Sequence, residues 1–369
     1  MNDEIRTEFP ELADIVYLNT GAISLIPLRS REALVSSIKD REYTGEKRTK
    51  IRNGRERQTR KYIGQLINAP YEDVCLVSNT SEGLNIIAQG LDLNEGENVV
   101  IVKHGFPGNT VAWLNLEKKG VTVKIVDSDY GEDATAKILA AVDEATRVLS
   151  ISFVEWIDGF KYDLDRIGKF CHEKEVVFVV DSIQGVGAMK MDVQSSKISF
   201  LSNGGFKWLL SPNGTGFIYV GKNILPKIDM KYLGYLSLVK NPMEFDYDLT
   251  LKDGAKKFRL GSISDNGIAA MEMSLDLILE LGIERIQSHI LELIQYASGG
   301  IKSKGYDLLG NFPEENRSGI LSFGGNDIAD VYQRLIDRNI IVSFRKNWIR
   351  VSPHFYNTRE DIDRMLEWL

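Results

Sequence analysis

Between Val74 and Val220 the chain repeats one pattern: a short apolar run rich in β-branched residues, then a stretch of helical periodicity. The runs are VCLV, NVVIV, VTVKIV, VLSISFV, VVFVV, ISFLS and GFIYV, and SEGLNIIAQGL and DLDRIGKFCHEKE are two of the helical stretches between them. Continuous apolar runs, without strict polar alternation, suit strands buried on both faces; strands that alternate with helices build βαβ units. The pattern predicts an α/β fold with a mostly parallel, doubly wound sheet whose ligand sits beyond the carboxyl ends of the strands.

The sheet pattern stops around residues 240–260. A long helix follows, IAAMEMSLDLILELGIERIQSHILELIQYASGG, interrupted near Gly282, then the short strands GILSF, IIVSF and WIRVS and a terminal helix, REDIDRMLEWL. At 369 residues the chain exceeds what one core usually fills. We expect a large domain over 17–245 and a smaller C-terminal α+β domain over 246–369, with residues 1–16 packing alongside. Residues 29–67 read as helix, with REYTGEKRTKIRNGRERQTRKY on a solvated face.

Several classes of partner are disfavoured. The 52 acidic and 45 basic residues give a net charge of −7, which argues against nucleic acid or an anionic membrane. No apolar run approaches the ~18 residues of a membrane span, and MNDEIRTEFPEL lacks the basic and apolar regions of a signal peptide. Cys75 and Cys171 make no disulfide framework, and His104, His172, His289 and His354 show no metal-ligand spacing. The expectation is a cytoplasmic protein with reduced thiols, no metal, and no nucleic-acid or membrane partner.

Three segments carry chemistry. VVFVVDSIQGVGA ends a strand on Asp181, with Gln184 three residues later; such an aspartate serves a metal, a sugar hydroxyl or a cationic nitrogen, or simply caps the next helix. In SNGGFKWLLSPNGTG, Lys207 sits between Phe206 and Trp208, where an apolar setting pushes the amine toward its neutral, nucleophilic form. A lone lysine of this kind is more often one that snorkels at a loop edge. In VCLVSNTSEGLNIIAQGL, Asn79 and Glu82 suggest a capping-box start, and Thr80 and Ser81 beside free N–H groups suit a phosphate. Each signal is weak singly. Together, in this order, they are the parts of a pyridoxal-5′-phosphate (PLP) site: phosphate at the helix start, pyridine nitrogen at Asp181, aldehyde on Lys207.

With these segments in view, the chain resembles the class V aminotransferase-fold PLP enzymes, a group that includes cysteine desulfurases, kynureninases and isopenicillin N epimerase-like proteins. The likeness runs from YLNTGA at Tyr17 to RVSPHFYNT ending at Thr358, and DSIQ, FKWLLSPNGTG and RVSPHFYNT are its most specific pieces. It implies the type I PLP-dependent transferase fold. It also implies that Phe106 stacks on the cofactor, that Gln184 bonds the ring hydroxyl, and that Arg350 clamps the substrate carboxylate. Gly261-Ser262 matches a pair that reaches the phosphate of the neighbouring subunit, which implies a homodimer. The backbone of Asn19, Gly21 and Ala22 lines the substrate pocket on the same ground.

Departures from the family shape the functional expectation. Where desulfurases carry Ser-Gly-His-Lys, this chain has Gly204-Gly205-Phe206-Lys207, and its short SFRKNW connection holds no cysteine. The expectation is therefore a class V aminotransferase-like activity on a small amino acid. A PLP-dependent lyase (C–S or other β-elimination) or an epimerase is the alternative, and a persulfide-forming cysteine desulfurase is excluded. Glu155, Trp156 and Asp158 are candidates for selecting the side chain, or else a surface loop, and Arg345 is a candidate second anion contact. A nucleotide-binding oxidoreductase fits poorly, since Gly185-Val186-Gly187 has Lys190 where a third glycine belongs. A non-catalytic scaffold would need none of Lys207, Asp181 and Arg350.

Overall fold

The seven apolar runs become the seven strands of one sheet. In the computed structural model, which describes residues 3–128, 134–240, 242–245, 247–310 and 312–369, a short strand β1 (Val16–Tyr17) comes first. The runs then form β2 (Val74–Val77), β3 (Asn98–Val102), β4 (Thr122–Val126), β5 (Thr146–Ser152), β6 (Val177–Asp181), β7 (Phe200–Gly204) and β8 (Gly216–Val220). Their spatial order is β2-β8-β7-β6-β5-β3-β4. Strands β4, β3, β5, β6 and β7 run parallel, and only β8 is antiparallel to both its neighbours.

Alternate residues of each central strand feed two cores. Val100, Leu149, Val180 and Leu201 face one, and Val99, Val148, Val179 and Phe200 the other. All eight are fully buried, which is why these runs need no polar alternation. Each such side chain contributes roughly 1.5–3 kcal/mol by leaving water. Strand β4 lies at the edge and is only partly covered, with Lys124 on it, as an unpaired sheet edge requires.

The helix expected over residues 29–67 divides. Leu28–Lys39 and Gly45–Ile67 are separate helices because a short turn at Asp40–Glu42 leads into extended backbone at Tyr43 and Thr44. Both pack against helix Asp265–Leu281, and Gly282, at φ 80°, separates that helix from Ile283–Ser303. Asp246, where the sequence placed the start of the second domain, lies outside the described residues.

The C-terminal part adds β9 (Asp307–Leu308), β10 (Leu321–Gly324), β11 (Ile340–Ile341), β12 (Ser343–Arg345) and β13 (Trp348–Val351). β12, β13, β10 and β9 form an antiparallel sheet in that order, while β11 pairs in parallel with β1. The segment after β1 is thereby laid along the end of β13, with Asn19 bridged to Ser352. Among the described residues no helix is long and apolar enough to cross a membrane, and no group of His, Cys, Asp or Glu side chains is arranged to hold a metal ion.

Candidate active site

Strand pairing places Asp181, the last residue of β6, beside Ser152 of β5 and Ser202 of β7 at the carboxyl edge of the sheet. Its carboxylate is buried and accepts the Ile183 N–H at 3.1 Å. Burial raises its pKa, against the Ile183 N–H and the Lys207 charge, which favour the ionised form. Lys207 lies just beyond β7 and is 7% exposed. Burial and then the Arg350 charge lower its pKa, and Asp181 opposes them. Its Nζ is 5.5 Å from the ring centre of Phe106 and 5.7 Å from that of Phe206.

A cavity of about 130 Å³ opens beside this pair, with Asn79, Thr80, Ser81 and Phe106 among its walls. Thr80 begins helix Thr80–Gly90 directly after the β2 turn. Asn79 caps the helix by accepting the Glu82 N–H at 2.9 Å, but Glu82 returns to the Ser78 N–H at 2.7 Å, one residue earlier than a capping box would. The Thr80 hydroxyl is buried and has no partner among the described residues. A helix start, an uncommitted hydroxyl, an accessible aromatic face on Phe106 and a desolvated amine above a carboxylate together fit PLP.

Ser152, Val154, Trp156 and Gln184 line the adjoining side of Lys207. Arg350, on β13, is buried; it donates to the Trp156 carbonyl, and its Nε has no partner among the described residues. Burial and the nearby Arg345 lower its pKa to about 10, so the guanidinium stays charged at neutral pH. The Asn19–Ala22 turn lies against it: the Gly21 N–H donates to Ser352 Oγ at 2.8 Å, Ser343 Oγ donates to Asn19 Oδ1 at 2.5 Å, and the Ala22 N–H donates to the Asn19 carbonyl at 3.0 Å.

Not every predicted residue joins this group. Ser262 lines a separate groove of about 660 Å³ with Arg48 and Arg52, within 3.3 Å of the Tyr235 hydroxyl. Arg345 is exposed, its guanidinium on the Phe344 carbonyl. Of the trio after β5, only Trp156 lines the Lys207 cavity. Glu155 and Asp158 are buried, so they form neither a selecting wall nor a surface loop. Two further residues belong to the site's surroundings. Trp208 donates its indole N–H to Gln184, and His354 hydrogen-bonds the Trp208 carbonyl. In sequence the first passed as an aromatic neighbour of the lysine and the second as a scattered histidine, although both sit inside the FKW and SPHF segments.

The family model described as Aminotransferase class-V matches residues 46–365. A probable cysteine desulfurase of Methanothermobacter thermautotrophicus is 29% identical, covering 100% of this chain and 97% of that protein. One of Pyrococcus abyssi is 24% identical, covering 99% and 96%. Among solved structures, the apo cysteine desulfurase of Thermococcus onnurineus NA1 superposes with a TM-score of 0.92 at 20% identity, covering 100% of this chain and 97% of that one. The cystine C–S lyase C-DES, in complex with its reaction product cysteine persulfide, does so with 0.91 at 21% identity, covering 97% and 98%. These likenesses overturn the expectation of an aminotransferase-like activity with cysteine desulfurases excluded. That exclusion rested on one absent loop cysteine. Lys207 and Asp181 lie elsewhere, at the carboxyl edge of the large sheet, and only Arg350 stands next to that loop, paired with Ser343.

Proposed function

The chain belongs to the class V aminotransferase family, a family of PLP-dependent enzymes, and from that premise we propose that it cleaves the C–S bond of a cysteine-type amino acid with PLP carried on Lys207. The observation that carries the reading is the buried Lys207 amine sharing a cavity wall with Asp181, with the Arg350 charge in reach. The relatives named probable cysteine desulfurases, similar over nearly their whole length, support it. PLP supplies an electron sink that weakens bonds at the substrate α-carbon.

The protein's own groups do the rest. Asp181 would keep the pyridine nitrogen protonated, and the Thr80 and Ser81 hydroxyls at the helix start would hold the phosphate. Phe106, on the cavity wall, would cover the ring. Arg350 grips the substrate carboxylate with a planar fork, beside the Asn19–Ala22 turn. The Lys207 amine, its pKa lowered to about 8 chiefly by burial, would move the α-proton at Nζ. Cys75 and Cys171 are both buried and unpaired, their thiols pushed up to about 12 by burial, which suits a reducing compartment such as the cytoplasm.

A second copy of the chain completes the site in this reading. Ser262 lines a different groove from its own Lys207 cavity, and the segment leading to Ser262 exposes Tyr232, Leu233, Val239, Phe245 and Leu249, an apolar stretch that a partner would cover. The test is to load the protein with PLP and supply L-cysteine or L-cystine with a reductant. Sulfide release is expected, from protein that runs at twice the monomer mass. A protein that shows the visible band of PLP on Lys207 yet frees no sulfide from either amino acid overturns the proposal.

A further inference from the structure

Gln184 is the centre of a buried chain of hydrogen bonds that ties the lysine loop to both substrate-side segments. Its Oε1 accepts the Trp208 indole N–H at 2.9 Å, and its Nε2 donates to the Gly21 carbonyl at 2.9 Å. The orientation of this amide is fixed by its neighbours. An indole N–H can only donate and a carbonyl can only accept, so a flipped amide would set donor against donor and acceptor against acceptor. One Nε2 hydrogen goes to Gly21, which leaves the second uncommitted, and Gln184 is among the residues that line the cavity beside Lys207.

Trp208 is itself pinned. His354 Nδ1 accepts the Phe355 N–H at 2.8 Å, which leaves Nε2 protonated and donating to the Trp208 carbonyl at 3.1 Å. Burial lowers the His354 pKa to about 3, so this tautomer persists across the working pH range. Two glycines make the room. A Cβ at Gly319 would stand 2.6 Å from the indole ring, and one at Gly187, whose φ is +101°, 2.2 Å from the Trp208 carbonyl oxygen. The indole is thus held at both ends, immediately after Lys207.

We propose that Trp208 is a positioning residue: its indole N–H holds the Gln184 amide with the NH2 group turned to the cavity, where it donates to the ring oxygen of PLP. The inference rests on the reading that the Lys207 cavity takes PLP. A donor on that oxygen weakens the oxygen's hold on the neighbouring imine proton, so the proton leaves at lower pH. Replacing the indole by a ring without an N–H frees the amide to turn and removes that effect.

The experiment is a pH titration of the visible absorption band in PLP-loaded wild type, Trp208→Phe, Gln184→Leu and the double variant. The midpoint is expected to rise by roughly half a unit or more in each single variant, and the double variant to show no rise beyond Gln184→Leu. An unchanged midpoint in fully loaded Trp208→Phe, or two rises that simply add, overturns the proposal. Absence of the band in wild type instead rejects PLP on Lys207. Should Trp208→Phe not fold, wild type and Gln184→Leu labelled at the tryptophan indole nitrogens decide the matter. The indole resonance that moves in Gln184→Leu must also move on PLP loading, and a resonance that ignores PLP overturns the role.

Discussion

Val154 and Trp156 line the Lys207 cavity, whereas Glu155 between them is enclosed beside Tyr162 and Ser128. On the cavity side, the Thr80 hydroxyl lacks a partner among the described residues, and so does the Nε of Arg350, whose guanidinium bonds the cavity residue Trp156. On the enclosed side, both Glu155 oxygens and the hydroxyls of Tyr162 and Ser128 lie close to one another but make no well-formed hydrogen bond among the described residues. Each such atom costs about 1–3 kcal/mol. The difference lies in what can offset the cost. Beside a cavity, a ligand can supply the missing bond. In the enclosed place only a change of protonation remains, and burial with the Asp158 charge pushes Glu155 up to about 8. Unpartnered polar atoms therefore indicate a binding site only where space adjoins them.

If that contrast is right, substitutions on the cavity side remove activity and leave the fold intact. The largest effect is expected for Lys207→Met, which keeps the aliphatic stem but not the amine. Turnover should fall by about 10⁴, and the visible band of bound PLP should vanish. The unloaded protein should melt no lower than wild type, because a desolvated ammonium has been removed. A variant that keeps its band breaks the comparison at its root. Arg350→Lys comes next. A point charge cannot reproduce the bidentate fork, so kcat/KM should drop about 100-fold through a loss of roughly 1.5–3 kcal/mol. Steady-state kinetics would show most of the loss in KM, and an unchanged KM would place the carboxylate elsewhere.

The cavity side was legible in the sequence because its parts are local. Asp181 ends an apolar run, Thr80 follows another, and Lys207 lies between two glycine-rich turns, so strand positions alone bring them to one edge. The enclosed side was not. Glu155 looked like a loop residue because it follows the end of β5. In fact the chain turns back at once, Val154 bridging Lys161 and the Glu155 N–H bonding the Phe160 carbonyl, so strand-like alternation continues and sends Glu155 inward. The Trp208 link was hidden for another reason: a tryptophan beside a lysine reads as packing, and only the position of Gln184 reveals its N–H as a constraint. The reaction was misjudged because one missing cysteine outweighed a likeness spread over the whole chain.

On the enclosed side, Glu155→Gln should change stability and not activity. The carboxyl holds its proton in the folded protein up to about pH 8, whereas unfolded it loses it near 4.3. Its contribution is fully present below the lower value and is lost as pH rises through the higher one. Glutamine carries no such proton. The variant should therefore match wild type at pH 4 and exceed it by roughly 4 kcal/mol at pH 8, as urea unfolding would measure. Sulfide release should stay within about threefold of wild type. A large loss of activity with no change in the pH slope would move Glu155 to the cavity side.

The smallest effect is expected for Tyr162→Phe, and it tests whether the enclosed place is closed at all. Removing a buried hydroxyl that lies near Glu155 and Ser128 but makes no well-formed hydrogen bond among the described residues should leave stability unchanged or raise it by up to about 1 kcal/mol. Tyr162 is also the neighbour that holds the Glu155 pKa down, so its loss should steepen the fall of stability toward pH 8. If the substitution instead destabilises by more than about 1.5 kcal/mol, the hydroxyl is bonded after all. The bridging group would then be a buried water shared with Glu155 and Ser128, because three converging polar atoms are the partners such a water requires. The enclosed side would in that case resemble the cavity side in kind, differing only in the size of what it admits.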